Sequence, residues 1–183
     1  MGCKEERFIS PKPHMFPRIS YPDRNYTEFS ESYCDLRFSY PDYAQIIQDT
    51  LFFDEKPLHP CWFDVYFEPF NGKLHCSYYP ISNEKDFDEL IKDAFTFVDK
   101  HDIKANYRAE TAIKGRNNTG GLIFEIDGPV ATPIQFFLTD SINHFIRGSL
   151  YFDNKVNPDS MAPVHVFVGE DVKQIISTLE FID

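Results

Sequence analysis

The chain has 183 residues, which suits one domain of ordinary size, and 42% of them are apolar, with 19 Phe and 10 Tyr, so it holds material for a core without a structural metal. Its formal net charge of −11 repels phosphates and anionic headgroups, and no Lys/Arg cluster opposes that field, which excludes nucleic acid as a partner. No run of about 18 apolar residues occurs, so no segment is expected to span a membrane.

In chain order, the first feature is Met1-Gly2-Cys3-Lys4. Gly2-Cys3 fits the end of a bacterial lipoprotein signal whose hydrophobic part has been removed, and it makes Cys3 the expected lipid attachment site. An ordinary cytosolic N-terminus is the alternative. Myristoylation of Gly2 is a third reading, but Glu6 stands where that pattern wants Ser or Thr. Residues 1–33 then read as a tether. Pro11, Pro13, Pro17 and Pro22 favour extended backbone, while Phe8, Phe16, Ile19, Tyr21 and Phe29 predict that this segment packs on the domain rather than floating free.

From residue 34 to 183 a single domain is expected. Cys34, Leu36 and Phe38 alternate with Asp35, Arg37 and Ser39, the pattern of a half-buried strand. Trp62–Phe67 and Leu74–Tyr79 flank Asn71-Gly72, the pair that a type I′ hairpin turn needs at its two positive-φ positions. Ser82 or Asn83 caps a helix in which Phe87, Leu90, Ile91, Ala94, Phe95 and Val98 share one face, ending near Lys100-His101. Strands follow over 105–113, 122–127, 134–139 and 145–152. Pro163 suits the first turn of a last amphipathic helix, which Gly169 would kink. Short polar turns between the late strands demand antiparallel neighbours. The fold class is therefore α+β: an antiparallel β-sheet flanked by two amphipathic helices.

Pro11-Lys12-Pro13, Phe16-Pro17-Arg18-Ile19, Phe38-Ser39-Tyr40-Pro41 and Trp62-Phe63-Asp64 carry a resemblance that continues toward the C-terminus. There it takes in Gln135–Asp140, His144–Gly148, Leu150-Tyr151-Phe152, Asp159–Val164 and Thr178–Phe181. In this order and spacing the segments resemble the gliding-motility lipoprotein family, GldD, from Cys3 to Phe181. The resemblance implies a lipoprotein anchored in the cell envelope through Cys3, facing the periplasm and working with envelope proteins of the gliding and type IX secretion machinery. It assigns no active-site residue. The closing order of strands, acidic loop and helix also looks like the Mog1/PsbP-type fold, a likeness of shape that says little about function. Asp49-Thr50-Leu51, Asp140-Ser141-Ile142 and Asp159-Ser160-Met161 look like the O-glycosylation triplet of envelope proteins in this bacterial group, although such triplets also arise by chance.

Chemistry has few footholds. Cys34, Cys61 and Cys76 form no C-x-x-C pair and are expected to behave as small buried hydrophobes. The histidines lack paired metal spacing, and His75 and Cys76 should point to opposite faces of one strand. The loop 153–159 resembles a calcium loop only superficially, since Lys155 holds the third position. No metal site and no cofactor are expected. The nearest catalytic constellation is His144 with Ser141 or Asp140, and Asp140-Ser141 more simply caps a turn. The preferred reading is a non-enzymatic structural or partner-binding protein, with Trp62, Tyr66, Tyr78 and Tyr79 as the candidate contact residues. The alternatives are a periplasmic hydrolase built on His144 and a small-ligand carrier whose aromatic sheet face lines a cavity.

Overall fold

The computed structural model describes residues 19–51, 56–153 and 158–182. Cys3 and the prolines at 11, 13 and 17 lie outside the described residues, as does most of the 153–159 loop. The elements run β1 (Tyr26–Phe29), β2 (Leu36–Pro41), β3 (Gln45–Gln48), β4 (Trp62–Phe67), β5 (Gly72–Pro80), α1 (Glu84–Asp102), β6 (Tyr107–Lys114), β7 (Gly120–Asp127), β8 (Ile134–Thr139), β9 (His144–Phe152), α2 (Pro158–Thr178) and β10 (Glu180–Phe181). Seven strands form one antiparallel sheet in the order β3-β4-β5-β9-β8-β7-β6, and β1-β2-β10 form a second, three-stranded one. This is the α+β architecture that the sequence predicts. The three shortest strands, β1, β3 and β10, are additions to it.

Two cores lie on opposite faces of the large sheet. On one face, Phe63, Val65, Leu74, Phe136, Leu138 and Ile146 meet Val168, Val172 and Ile175 of α2 and the apolar residues of the small sheet. There the Phe38 ring stacks on Phe29 at 4.6 Å and on Phe63 at 5.6 Å between centroids. Such pairs contribute about 0.5–1.5 kcal/mol beyond the area they bury. On the other face, Ala94 and Val98 of α1 meet Phe124, Ile126, Phe137 and Phe145. β8 runs between the two cores, and every one of its residues is buried. The period-two alternation of β5 and β9 divides their side chains between the faces. Cys76 accordingly goes into the α2 core and His75 to the α1 side, as expected.

Local chemistry sets the ends of the elements. Asn83 caps α1, accepting from the Asp86 N–H at 3.1 Å, with Glu84 and Asp86 in the positive first turn. The β4–β5 connection departs from the type I′ expectation. Phe67 pairs with Gly72, and residues 68–71 between them form a 3₁₀ turn, with Pro69 pre-setting φ, closed by left-handed Asn71 (φ 48°). Gly72 is already in β5 and does not take a positive φ; its need is space, since a Cβ there would lie 2.8 Å from the Phe152 ring. The last helix also differs. It begins at Pro158, so Pro163 sits inside it rather than in its first turn. Burial of Val164, Val168 and Val172 along one face outweighs the backbone donor that Pro163 lacks.

The expectation for the cysteines is corrected in part. Cys34 and Cys61 form a disulfide, with Cα atoms 4.6 Å apart across 27 residues of sequence, and only Cys76 remains a buried free thiol. The pairing was invisible in the sequence because it depends on β2 and the entry to β4 lying side by side.

Candidate functional site

α1 spans only part of its face of the large sheet. Its buried contacts reach β7, β8 and the start of β9, and the face toward β4 and β5 stays open beside it. There a cleft of about 610 Å³ forms, lined by Trp62, Asp64, Lys73, His75, Tyr79, Arg147, Ser149 and Tyr151 from the sheet, by Leu90, Asp93 and Phe97 from α1, and by Leu58. Volume and lining are those of a small-molecule site, mostly apolar with a few convergent polar groups.

Strand register places the polar groups. Asp64, His75 and Ser149 are cross-strand neighbours on β4, β5 and β9, and Tyr66, Lys73 and Tyr151 form the next rung. Asp64 is shared: its Oδ1 lies 2.8 Å from His75 Nδ1, and its Oδ2 lies 3.5 Å from Lys73 Nζ. Arg147 carries its guanidinium 4.0 Å over the Phe97 ring, a cation–π contact that ties sheet to helix. Burial pushes the Tyr151 phenol above its ordinary value, with Arg147 and a hydrogen bond to Ser149 working the other way. Trp62, the one tryptophan of the chain, is buried, donates from Nε1 to the Tyr78 carbonyl at 2.9 Å and meets Tyr79 edge-on.

The four aromatic contact candidates divide between the two faces of the hairpin. Trp62 and Tyr79 line the cleft. Tyr66 shares their face two rungs from Trp62, half-buried, with Lys73 Nζ 5.8 Å above its ring. Tyr78 points the other way, into the α2 core, where its hydroxyl lies 2.6 Å from His144 Nδ1.

His144 and Asp140 are held by structural bonds. Asp140 Oδ1 accepts from the N–H groups of Ile142, Asn143 and His144 at 2.9–3.0 Å, the turn-capping role that the sequence suggests. Burial opposes the charged form of this carboxyl, but those three donors and His144 hold it below the usual carboxylate range. His144 Nε2 is 4.0 Å from Asp140 Oδ2, beyond hydrogen-bond length, and its ring stacks on Phe181. Ser141 is exposed, takes a left-handed φ of 64°, and has no side-chain hydrogen bond to His144 among the described residues. The described residues contain no group of three or more His, Cys, Asp or Glu able to hold a metal ion. Burial pushes the Cys76 thiol far up, out of reach of the thiolate chemistry a reactive cysteine needs.

Sequence reading missed Asp64, Lys73, His75, Arg147 and Tyr151 as a group. A signal existed: Lys73, His75, Ser77 and Tyr79 alternate with apolar residues along β5, as Arg147, Ser149 and Tyr151 do along β9. Alternation reports one strand at a time, and only the register between strands brings these residues to one place.

Fold and cleft define the class: an α+β domain with an aromatic cleft on the open part of its sheet. Residues 6–181 match the family described as Gliding motility lipoprotein GldD, and the chain belongs to that family. No curated protein matches the chain. Among solved structures, the solution structure of cyanobacterial PsbP (CyanoP) from Synechocystis sp. PCC 6803 is similar, with a TM-score of 0.46 and 11% identity over 87% of this chain and 94% of that one. A likeness of that grade bears on neither ligand nor activity. No helix among the described residues is long and apolar enough to cross a membrane.

Proposed function

We propose that this chain is a non-enzymatic binding component of the gliding and type IX secretion machinery, tethered to its membrane by lipid on Cys3 and facing the periplasm. The observation that carries the reading is the cleft beside α1, where aromatic side chains and unevenly paired charges converge on a surface that no element of the described chain covers. Membership in a lipoprotein family of gliding motility supports the anchor and the setting. The Cys34–Cys61 disulfide supports an oxidising compartment, since such bonds persist outside the cytosol. The bonds that fix Asp140 and His144 in a turn and against the core favour a structural role for both over a hydrolytic one.

The test is a crosslinked pull-down from the native envelope with the wild type, Cys3→Ala and Tyr79→Ala. The wild type should fractionate with membrane and capture envelope proteins of the machinery. Cys3→Ala should fold but leave the membrane fraction, and Tyr79→Ala should stay in it with reduced capture. An unchanged membrane fraction for Cys3→Ala would remove the anchor, and full capture by Tyr79→Ala would remove the cleft as the contact surface.

A further inference from the structure

The cleft runs along β9. Phe145, Arg147, Ser149 and Tyr151 occupy every second position of that strand and all line it, so its length is about 20 Å at ~3.3 Å per residue. It is thus a groove suited to a narrow, extended occupant. On the helix side its apolar wall is made by Leu90 and Phe97, with the Asp93 carboxylate between them, and it faces Trp62, Tyr79 and Phe145.

Charge is unevenly satisfied on its floor. Asp64 is taken by both Lys73 and His75. Asp93 is exposed on α1. Arg147 is half-buried, rests on Phe97, and has no carboxylate within ion-pair distance among the described residues. A guanidinium held against an aromatic ring and short of solvent is a site for an anion, because it offers fixed paired donors at a reduced desolvation cost. A buried polar group without a partner lies on the same rung, beneath the residues that line the cleft. Ser77 lies directly between Trp62 and Arg147 in the register, and its Oγ is fully buried with no hydrogen-bond partner. The chain as a whole carries −11, so a general attraction for anions cannot explain binding here, and any anion would be drawn by this local arrangement.

We infer that the cleft beside α1 binds a small amphiphilic carboxylate, its acyl body lying along β9 against Leu90, Phe97 and Trp62 and its carboxylate on Arg147. This deepens the binding reading and rests on the cleft being a contact surface. The two fail separately, because capture of envelope proteins is read in the native envelope and ligand binding in the purified chain.

Trp62 supplies the readout, being the only tryptophan and part of the lining. The probe is undecanoate carrying bromine on its terminal carbon, a contact quencher of indole fluorescence. Saturable quenching of Trp62 is expected, reversed by unlabelled undecanoate and at least tenfold less readily by undecanol. Arg147→Gln should weaken the acid at least tenfold and leave the alcohol unchanged, which separates loss of the anion site from loss of fold. Leu90→Glu should abolish both by placing charge in the apolar wall. Absence of saturable quenching in the wild type overturns the inference, and so does equal competition by acid and alcohol or an Arg147→Gln variant that binds the acid like the wild type.

Discussion

Asp171 has no solvent exposure, yet three donors from the N-terminal part of the chain converge on it. Tyr26 donates its hydroxyl to Oδ1 at 2.7 Å, Tyr43 donates to Oδ2, and Arg24 Nε lies 3.2 Å away. Arg24 also donates to the Phe167 carbonyl and stacks over the Phe167 ring at 4.2 Å. One buried carboxylate on α2 thus latches β1 and the turn before β3 to the domain. Asp171→Ala should cost about 1–3 kcal/mol near neutral pH, because it strands the half-buried Tyr43 phenol and takes the acceptor from two partly exposed groups, Tyr26 and Arg24. The pH dependence has a definite sign. Burial first, and then the Asp171 bond, push the Tyr26 phenol from 10.0 up to about 12 and the Tyr43 phenol higher still. Folded values above unfolded ones mean stabilisation that is intact below pH 10 and lost as pH climbs toward 12. Denaturant titrations at stepped alkaline pH should therefore show the wild-type advantage over Asp171→Ala shrinking through that window. None of this latch was legible in the sequence: Tyr26 and Asp171 are 145 positions apart, and an acid in an amphipathic helix is ordinarily read as a solvated face.

The elements differ in how firmly they are held. α2 buries Val164, Val168, Val172, Ile175 and Ile176 against the larger core, whereas among the described side chains of α1 only Ala94 and Val98 are buried, with Phe87, Leu90, Ile91 and Phe95 half-exposed. Opening free energy follows buried apolar contact, so α1 should be the less protected helix. Native-state hydrogen exchange should show amides in the middle of α1 exchanging faster than those around Val172, and equal protection would contradict the one-sided packing. The same looseness sits where the cleft needs it, since Leu90 and Phe97 form a wall that can adjust. The helix was readable from its 3.6-residue periodicity and its Asn83 cap, and β4 and β8 were readable from dense aromatic and apolar runs. β1, β3 and β10 were not, since two to four residues carry too little pattern to separate a strand from an extended loop.

The molecule joins its two sheets and two helices by non-local links, and among the described residues the disulfide is the one covalent case. Cys34 precedes β2 and Cys61 precedes β4, so the bond closes a loop that holds all of β2 and β3. A loop of 27 residues stabilises by about 3–4 kcal/mol through the lost freedom of the unfolded chain. Equilibrium unfolding with and without reductant should differ by that amount, and Cys34→Ala should unfold like the reduced protein and no longer respond to reductant. A reductant effect near zero would mean that the bond does not form in solution.

Local pattern settled the two helices and the longer strands, that the sheet is antiparallel, and which family the chain resembles, because periodicity, capping and turn chemistry act over a few neighbouring residues. The cleft, the Asp171 latch and the Cys34–Cys61 pair arose from assembly. Each joins residues far apart in the chain, and their meeting depends on strand register and on how far α1 extends over the sheet, quantities that no short window of sequence encodes.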